Sequence, residues 1–257
     1  MTQFVPLNMC DPASGDFGLR NKLINARGDI NQRAYVSGTA TGAANQYTVD
    51  RWRVVTSGQN LSWTTSGNDR VFTAPAGGVE QVIESTNIDS GTYVLTWTGT
   101  ATATVNGTSV TNGGTIALTG GATATVKFSS GTFSLPQLEL AVATPFERRP
   151  YGLELALCQR YYFQTSYARL VGAATSTTAV QFAVQCPVPL RATPVATGTV
   201  AGQLAMYNNG GINITSATYT VGSFDGHIVN LQIGGVSVSD GNVHWASMTA
   251  VKLSAEL

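Results

Sequence analysis

The chain has 257 residues, and its 14 basic and 14 acidic side chains leave a formal net charge of zero. A chain of this length can hold one large domain or two medium ones, each with a core of its own. Only 11% of the residues are charged, against about 25% in ordinary soluble domains. With no net charge and no basic cluster, nothing draws the chain to nucleic acid or to a membrane surface. We expect neither nucleic-acid binding nor membrane insertion.

Cysteine usage and the amino-terminal pattern indicate the compartment. The three cysteines, Cys10, Cys158 and Cys186, are odd in number and widely spaced, which favours buried thiols over a disulfide framework or a zinc site. The first residues show no basic-then-apolar leader, and no apolar run approaches the roughly 20 residues that span a bilayer. We expect the chain to be made in a reducing cytoplasm.

Residues 1–20 are irregular, because Pro6, Pro12, Gly15 and Gly18 interrupt any periodicity. We expect an N-terminal arm or attachment segment there.

Short β-rich segments follow, separated by Gly, Asn, Ser and Asp. We expect strands at residues 51–56, 60–65, 71–74, 79–85, 92–98, 101–105, 115–119 and 122–128. Asn106-Gly107 and Asn112-Gly113 between them are strong hairpin-turn dipeptides. Regularly spaced strands with such turns predict an antiparallel, jelly-roll-like β-sandwich over residues 21–144.

Residues 145–160 predict a hinge with one short helix. Pro145 and Pro150 fix their own φ and disfavour the helical region for the residues before them, so the segment between them should be extended. The helix is expected at residues 152–159, with Leu153, Ala156 and Leu157 on one stripe.

The strand pattern then resumes. We expect strands at residues 160–167, 179–186, 199–207, 212–221, 227–233 and 243–253. They predict a second antiparallel β-sandwich over residues 161–257, so that the whole chain belongs to the all-β class. Exposed sheet edges are usually protected by charge. Because lysine occurs only three times, we expect neighbouring subunits to cover the edges in a homo-oligomer.

Three blocks of the sequence resemble segments of one known family. Residues 143–162, ATPFERRPYGLELALCQRYY, are similar to the ATPFE-R-P…EL-LCQRYY segment of tail-fibre and receptor-binding proteins of tailed bacteriophages. A second block resembles the family's N-L-x-N-G-x-F-x-I-N-Q-R-G…Y-x-x-D-R-W pattern, and it comprises residues 21–25, NKLIN, residues 29–33, DINQR, and residues 47–52, YTVDRW. Residues 131–139, GTFSLPQLE, resemble the strand that precedes the family's hinge. Together the blocks cover residues 21–162, although Ala26 and Arg27 stand where the family usually has Gly and Asp or Asn.

This resemblance implies a virion protein of the tail tip or tail fibre, usually a trimer. Its implied partners are copies of itself, other tail or baseplate proteins, and a bacterial surface receptor such as a polysaccharide, a pilus or an outer-membrane protein. The first domain would be similar to carbohydrate-binding jelly rolls. The second, with no resemblance of its own, would be the receptor-binding tip.

Three sets of residues are candidates for contacts. The upstream polar set could line a sugar groove; alternatively, Asp50 pairs with Arg33 while Trp52 enters the core. The set consists of Asn31, Gln32, Arg33, Asp50, Arg51 and Trp52. The hinge set is predicted to make inter-domain or inter-subunit contacts, because guanidinium groups suit partly buried carboxylates. It consists of Glu147, Arg148 and Arg149.

The third set lies on predicted loops of the second domain, where aromatic rings and amide or carboxylate groups suit receptor binding. It consists of Tyr207, Asn208, Asn209, Phe224, Asp225, His227, His244 and Trp245. The alternative is that the rings are core and the polar residues make turns. His227 and His244 are the only histidines, and a metal or acid-base cluster with Asp225 is weaker than two ordinary polar histidines. We expect no enzyme activity, metal or cofactor.

Two other functions fit the same sequence. One is a structural baseplate or fibre-connecting protein without receptor contact. The other is a carbohydrate-binding module of a bacterial enzyme. We also interpret Arg27-Gly28-Asp29 as turn chemistry rather than as an integrin-type recognition tripeptide.

Overall fold

A computed structural model describes residues 19–197, 199–206, 212–234 and 243–257; at 166–169, 197, 199–206, 212–219 and 243–250 the description is of the backbone alone. Strands account for 47% of the chain and helices for 6%. The sheets are antiparallel, so the predicted all-β class is confirmed.

The chain divides into two compact units. The first contains the described residues up to Asp29, together with Val36–Thr48 and Trp52–Arg149. The second contains Ile30–Tyr35, Val49–Arg51 and Pro150–Leu257. The two short upstream segments therefore group with the second unit, whereas the boundaries expected from the sequence place both of them in the first domain.

The first unit contains eleven described strands in two sheets. The strands are β1 Gln46–Tyr47, β2 Arg53–Val54, β3 Ser62–Ser66, β4 Asp69–Ala74, β5 Val79–Ile83, β6 Gly91–Thr98, β7 Thr102–Val105, β8 Thr108–Val110, β9 Gly114–Leu118, β10 Ala124–Ser129 and β11 Gly131–Leu140. A single 3-10 turn, Ser85–Asn87, precedes β6. The sheet orders are β1-β2-β5-β10-β7-β8 and β3-β4-β11-β6-β9.

Aromatic side chains from both sheets form the core of the first unit. Phe128 on β10 and Phe133 on β11 stack with ring centroids 4.4 Å apart and planes 7° from parallel. Trp52 lies 5.4 Å from Phe133 and 6.2 Å from Phe128. Residues of β10 alternate between buried and half-buried, as a strand with one face on a core requires. The two sheets thus form a sandwich.

Two local features follow from backbone chemistry. Asn106 and Gly107 have φ angles of 50° and 81° and join Val105 to its partner Thr108. Positive φ at both central residues is the type I′ hairpin turn, so the predicted hairpin is confirmed. Pro136 lies where the pairing of β11 with β6 shifts register between Ser134 and Gln137; a bulge tolerates the missing N–H of proline.

The second unit contains one helix and seven described strands. They are α1 Tyr151–Gln159, β12 Tyr162–Ser176, β13 Ala179–Gln185, β14 Val195–Thr197, β15 Thr199–Met206, β16 Ile212–Phe224, β17 Ile228–Gly234 and β18 Val243–Ser254. The predicted helix is confirmed and begins directly after Pro150. Only Cys158 of α1 is buried, and Leu153 is 40% exposed. The helix's own apolar residues are spread around its circumference and do not form one buried stripe.

The sheet of the second unit closes on itself. Its order is β12-β13-β17-β16-β15-β18-β14, and β12 also pairs with β18. Six strands therefore have a partner on both sides, and the core inside includes Phe182, Leu231 and Val251. Closure removes most of the exposed edge in this unit, and the edges of the first unit are only two to five residues long. The oligomer stays a prediction, but edge protection is a weaker reason for it.

Candidate functional site

The upstream polar set mostly joins a buried ionic cluster of the second unit. We define this ionic cluster as Gln32, Arg33, Asp50, Arg51, Tyr161, Tyr162 and Glu256. Asp50 is fully buried. Its Oδ1 accepts from Arg33 Nη1 at 3.1 Å, and its Oδ2 accepts from the Gln32 backbone N–H at 2.5 Å. Burial raises the pKa of the Asp50 carboxyl, while Arg33 and these hydrogen bonds act in the opposite direction.

Glu256 bridges the two arginines of the ionic cluster. Its Oε1 lies 3.0 Å from Arg33 Nη2, and its Oε2 accepts from Arg51 Nη1. Each guanidinium also stacks on a tyrosine: Arg33 lies 3.6 Å from the Tyr162 ring centroid, and Arg51 lies 3.6 Å from that of Tyr161. Planar guanidinium groups favour this combination of carboxylate pairing and ring stacking.

The backbone around the ionic cluster is tied down as well. Gln32 donates from Nε2 to the Tyr162 carbonyl at 2.8 Å. Arg191 donates to the carbonyls of Ala255 and Glu256 at 2.8 and 2.9 Å. Arg51 adopts a φ of 71°, which is strained for a residue with a side chain. The surrounding contacts hold it there.

The remaining members of the upstream polar set have other roles. Trp52 is in the core of the first unit, where its Nε1 donates to the Asn25 carbonyl at 3.0 Å. Asn31 closes a local turn in the second unit by accepting from the Tyr35 N–H at 3.0 Å. The Arg33–Asp50 pair and the buried Trp52 are the arrangement of the structural alternative. The sugar groove stays a prediction, and Asp50, Arg51 and Trp52 offer it almost no accessible surface.

Glu147 and Arg149 of the hinge set are bonded to the segment around Asn21 in the first unit. Glu147 accepts from the backbone N–H groups of Arg20 and Asn21 at 3.2 and 3.0 Å. Arg149 is buried and donates to the carbonyls of Asn21 and Leu23, the latter at 3.0 Å. The expected contacts with another domain or subunit stay a prediction for these residues.

The third resembling block is bonded to the same region. Leu138 donates its N–H to Asn21 Oδ1 at 3.1 Å, and the Glu147 N–H donates to Gln137 Oε1 at 2.8 Å. Glu139 accepts from the Thr144 N–H at 2.8 Å. Gln137, Leu138 and Glu139 therefore connect the segment around Asn21 to the residues before Pro150 through hydrogen bonds.

Sequence reasoning missed a second polar group, on the surface of the first unit. We call it the arginine patch: Arg27, Asp29, Trp63, Asp69, Arg70 and Arg148. Arg148 pairs with both oxygens of Asp69, at 2.9 and 2.7 Å. Arg27 lies 2.7 Å from Asp69 and 3.0 Å from Asp29. The hydrogen bond from Arg148, aided by Arg27, lowers the pKa of Asp69 to about 2.

Arg70 completes the arginine patch in a different way. Its guanidinium lies over the Trp63 ring at 4.3 Å from the centroid, and its Nη1 is buried without a hydrogen-bond partner. Gly28 has a φ of 73° and approaches so closely that a Cβ there would collide with the Phe72 ring. Its N–H donates to the Asn25 carbonyl at 3.0 Å, so the Arg27-Gly28-Asp29 tripeptide makes a turn, as predicted.

One sequence signal could have found this group. Gly67-Asn68 separates Ser66 from its partner Asp69, and this register places Thr65 opposite Arg70. Because alternate residues share a face of a strand, Trp63 and Arg70 then lie on the same face. Identifying that two-residue turn from the sequence would have placed the pair together.

The third set of candidate residues, which we call the tip set, is described only in part, and the described part is a tight hairpin end between β16 and β17. Phe224 packs against the core of the second unit. Asp225 Oδ1 accepts from the N–H groups of His227 and Ile228 at 3.0 and 2.7 Å, and these bonds lower the pKa of Asp225. Gly226 has a φ of 99°. Asp225 and the His227 side chain are exposed.

The rest of the tip set is not described at side-chain level. Tyr207, Asn208 and Asn209 lie outside the described residues. His244 and Trp245 lie in β18, but their side chains are outside the description. The receptor loop and the possible cluster of Asp225 with the two histidines therefore stay predictions.

Cysteine placement follows the expectation where it is described. Cys158 and Cys186 are buried free thiols, while Cys10 lies outside the described residues. Burial raises the pKa of both thiols, that of Cys186 to about 11. Among the described residues, no three His, Cys, Asp or Glu side chains gather as metal ligands. No helix in the described part of the chain has the length and apolar character needed to cross a membrane.

No protein-family model matches the chain, and no curated protein matches it.

Proposed function

We propose that this chain is a non-catalytic attachment protein of a tailed bacteriophage, which binds a receptor on the bacterial surface. One observation carries the proposal: the separate sequence blocks that resemble the phage family contact one another within the folded units. A set of residues that matches by chance has no reason to be joined by hydrogen bonds and cation–π contacts across more than 100 positions of sequence.

Two such junctions support the proposal. In the second unit, Gln32 and Arg33 of the INQR block contact Tyr162, the last residue of the ATPFERRP…CQRYY block. In the first unit, Arg149 and Glu147 bond to the segment that begins at Asn21. The resembling residues thus act together as a structural framework, which explains why those residue types occur together.

The framework leaves contact with the receptor to surface residues. The exposed hairpin end at Asp225–His227 and the arginine patch both offer polar groups to solvent. Several weak sites on one particle raise the effective affinity without any strong single site. A homotrimer would multiply such sites, and a surface with few charges would limit non-specific adsorption. We therefore propose a trimer in the virion.

The test uses particles of the phage whose genome carries the gene. Gold-labelled antibodies against the purified protein are expected to decorate the distal end of the tail. Fluorescently labelled protein is expected to coat bacteria that the phage infects and to slow adsorption of the phage. A heat-unfolded sample of the same protein is the control and should do neither.

The outcomes separate the candidate functions. Decoration of tails without binding to cells would identify a structural connector instead. Binding to soluble glycans with no decoration of any particle would identify a free carbohydrate-binding module. Loss of both signals would refute the proposal.

A further inference from the structure

We infer that Asn106 is a site of spontaneous covalent modification, at which the Gly107 backbone nitrogen attacks the Asn106 side chain and converts it through a cyclic imide to aspartate and isoaspartate. The first unit contains two Asn-Gly dipeptides, Asn106-Gly107 and Asn112-Gly113. The hydrogen bonds of the structure leave the first dipeptide able to react and restrain the second. The inference does not depend on the proposed function.

The first step is the nucleophile. The Gly107 N–H donates to no acceptor among the residues that the structure describes. Gly107 is exposed, and a Cβ at this position would be in open space. A backbone nitrogen without a hydrogen bond can approach a side chain without first losing one. Because glycine has no Cβ, the approach is also unhindered.

The second step is the electrophile. Asn106 Oδ1 accepts from the Thr125 backbone N–H at 2.8 Å. Attack at Cγ moves negative charge onto this oxygen, and an N–H that already points at the oxygen stabilises that charge. The leaving atom, Nδ2, donates to no residue in the described ranges. The amide is therefore polarised by Thr125 while its leaving group is not held.

The second dipeptide provides an internal comparison. The Gly113 N–H donates to the Leu95 carbonyl at 2.9 Å. Asn112 donates from Nδ2 to the Trp97 carbonyl at 2.6 Å and accepts at Oδ1 from the Trp97 N–H at 3.1 Å. The nucleophile and the leaving group are therefore both hydrogen-bonded, and these bonds have to break before a ring can close.

The third step is the position of Asn106 at the end of a short hairpin. Asn106 and Gly107 join β7 to β8, which are four and three residues long, and β8 is an edge strand of its sheet. Short edge elements open locally at low cost, which lets the turn adopt the conformation that closes the ring. Asn106 also borders a cavity of about 130 Å³, together with Thr119 and Thr123. A polar cavity of this size admits the water that opens the imide.

The reaction needs only water as a co-reactant. The Gly107 nitrogen forms a bond to Asn106 Cγ and releases its proton to solvent, while the Cγ–Nδ2 bond breaks and Nδ2 takes up a proton and leaves as ammonia. Water then adds to either carbonyl of the cyclic imide and opens it to aspartate or isoaspartate. Nothing is oxidised or reduced. Either product adds a negative charge to the turn, and isoaspartate also inserts a methylene group into its backbone.

The experiment incubates the full folded chain at mildly alkaline pH and follows both asparagines by tandem mass spectrometry of proteolytic peptides. Conversion at Asn106 should be at least about tenfold faster than at Asn112, because three hydrogen bonds restrain the second dipeptide and one contacts the first. The same chain in concentrated urea is the reference. Both dipeptides are unfolded there, so they should convert at similar rates.

Two variants test the nucleophile. Gly107→Ala should slow conversion at Asn106 by at least about tenfold, because the added Cβ hinders the approach of the nitrogen. The matched control is Gly113→Ala. Both glycines have positive φ, 81° and 77°, and open surroundings, so the two variants carry comparable backbone strain. Gly113→Ala should leave the rate at Asn106 unchanged.

Four results would overturn the inference. One is a rate at Asn106 in the folded chain that is equal to or lower than the rate at Asn112. Another is an Asn106 that stays intact in the folded chain but converts in urea, since the fold would then protect it. The third is an unchanged rate in Gly107→Ala. The fourth is a product that contains aspartate without isoaspartate, because direct hydrolysis of the amide gives aspartate alone.

Discussion

Glu256 is the residue whose removal tests the ionic cluster most directly. Its carboxylate accepts from both Arg33 and Arg51, and its side chain is only 6% exposed. Glu256→Leu introduces an apolar side chain of similar size. It removes the carboxylate that Arg51 contacts, and Arg51 is only 1% exposed. Arg33 retains Asp50 at 3.1 Å. The variant therefore isolates the cost of removing the Glu256 carboxylate from the buried Arg51 guanidinium.

The expected loss of stability is large. Removing one partner of a buried ion pair typically costs about 3–5 kcal/mol, because the remaining charge has lost its solvation without compensation. With a urea m-value of about 1–3 kcal/mol/M, the midpoint of unfolding should fall by at least about 1 M. The double variant Arg51→Met/Glu256→Leu removes the buried Arg51 charge as well. It should be at least about 2 kcal/mol more stable than Glu256→Leu alone, since apolar replacement of a buried pair is often nearly neutral.

The assay must report on the second unit specifically. Trp52, Trp63 and Trp97 all lie in the first unit, so tryptophan fluorescence is weighted towards the wrong part of the chain. Hydrogen exchange measured by mass spectrometry across a urea series resolves peptides of β12 and β18. Glu154→Leu on the partly exposed helix α1 is the matched control, and we expect a change of about 0.5 kcal/mol or less.

Two results would refute this reasoning. A loss below about 1 kcal/mol for Glu256→Leu would mean that the Arg51 guanidinium is solvated. A double variant no more stable than the single one would mean that the loss comes from packing around Tyr161 rather than from the loss of the Glu256 carboxylate beside a buried charge.

Three further predictions concern other parts of the molecule. The pKa of the Asp69 carboxyl, measured by NMR titration, should be about 2 rather than its ordinary 3.8. The ionised carboxylate therefore stabilises the folded protein above pH 3.8, and this contribution is lost as the pH falls through about 2. Arg148→Met should move the titration midpoint of Asp69 back up. Phe133→Ala should destabilise the first unit by about 3–5 kcal/mol in urea unfolding, whereas Val142→Ala, at a side chain 68% exposed, should change little. In a variant with the other two cysteines replaced by serine, Cys186, with a pKa of about 11, should react with iodoacetamide at pH 8 about 100-fold more slowly than an ordinary thiol; a normal rate would contradict its burial.

Most of the fold could be predicted from the sequence because its signals are local. Period-two alternation and hairpin dipeptides located most strands, and the position of Pro150 located α1 to within one residue. The strand β14 was missed because three residues are too few to show a period. The closure of the second sheet was missed for a different reason. Pairing of β12 with β18 joins residues 70 to 92 positions apart, and no local pattern encodes such a partner.

The candidate sites were harder to predict because polar residues have no periodic signal. The Arg33–Asp50 pair could be proposed as one alternative, since the two residues have opposite charges and lie only 17 positions apart. Glu256 accepts from both Arg33 and Arg51. This contact depends on the tertiary fold, because 223 and 205 positions of sequence separate Glu256 from the two arginines. The same holds for the arginine patch, where Arg148 reaches Asp69 across 79 positions.

Several residues of the resembling blocks are buried, so they cannot contact a ligand directly. Asp50, Arg51 and Arg149 are each at most 8% exposed, so substitutions there act on stability before they act on any ligand. Surface residues such as Arg70 and His227 do not belong to that framework, and they can change without disturbing it. On the proposed function, receptor preference should therefore be transferable between related chains by exchanging surface residues while the framework is kept. If exchange of framework residues alone changed the receptor while leaving stability intact, the separation of the two roles would be wrong.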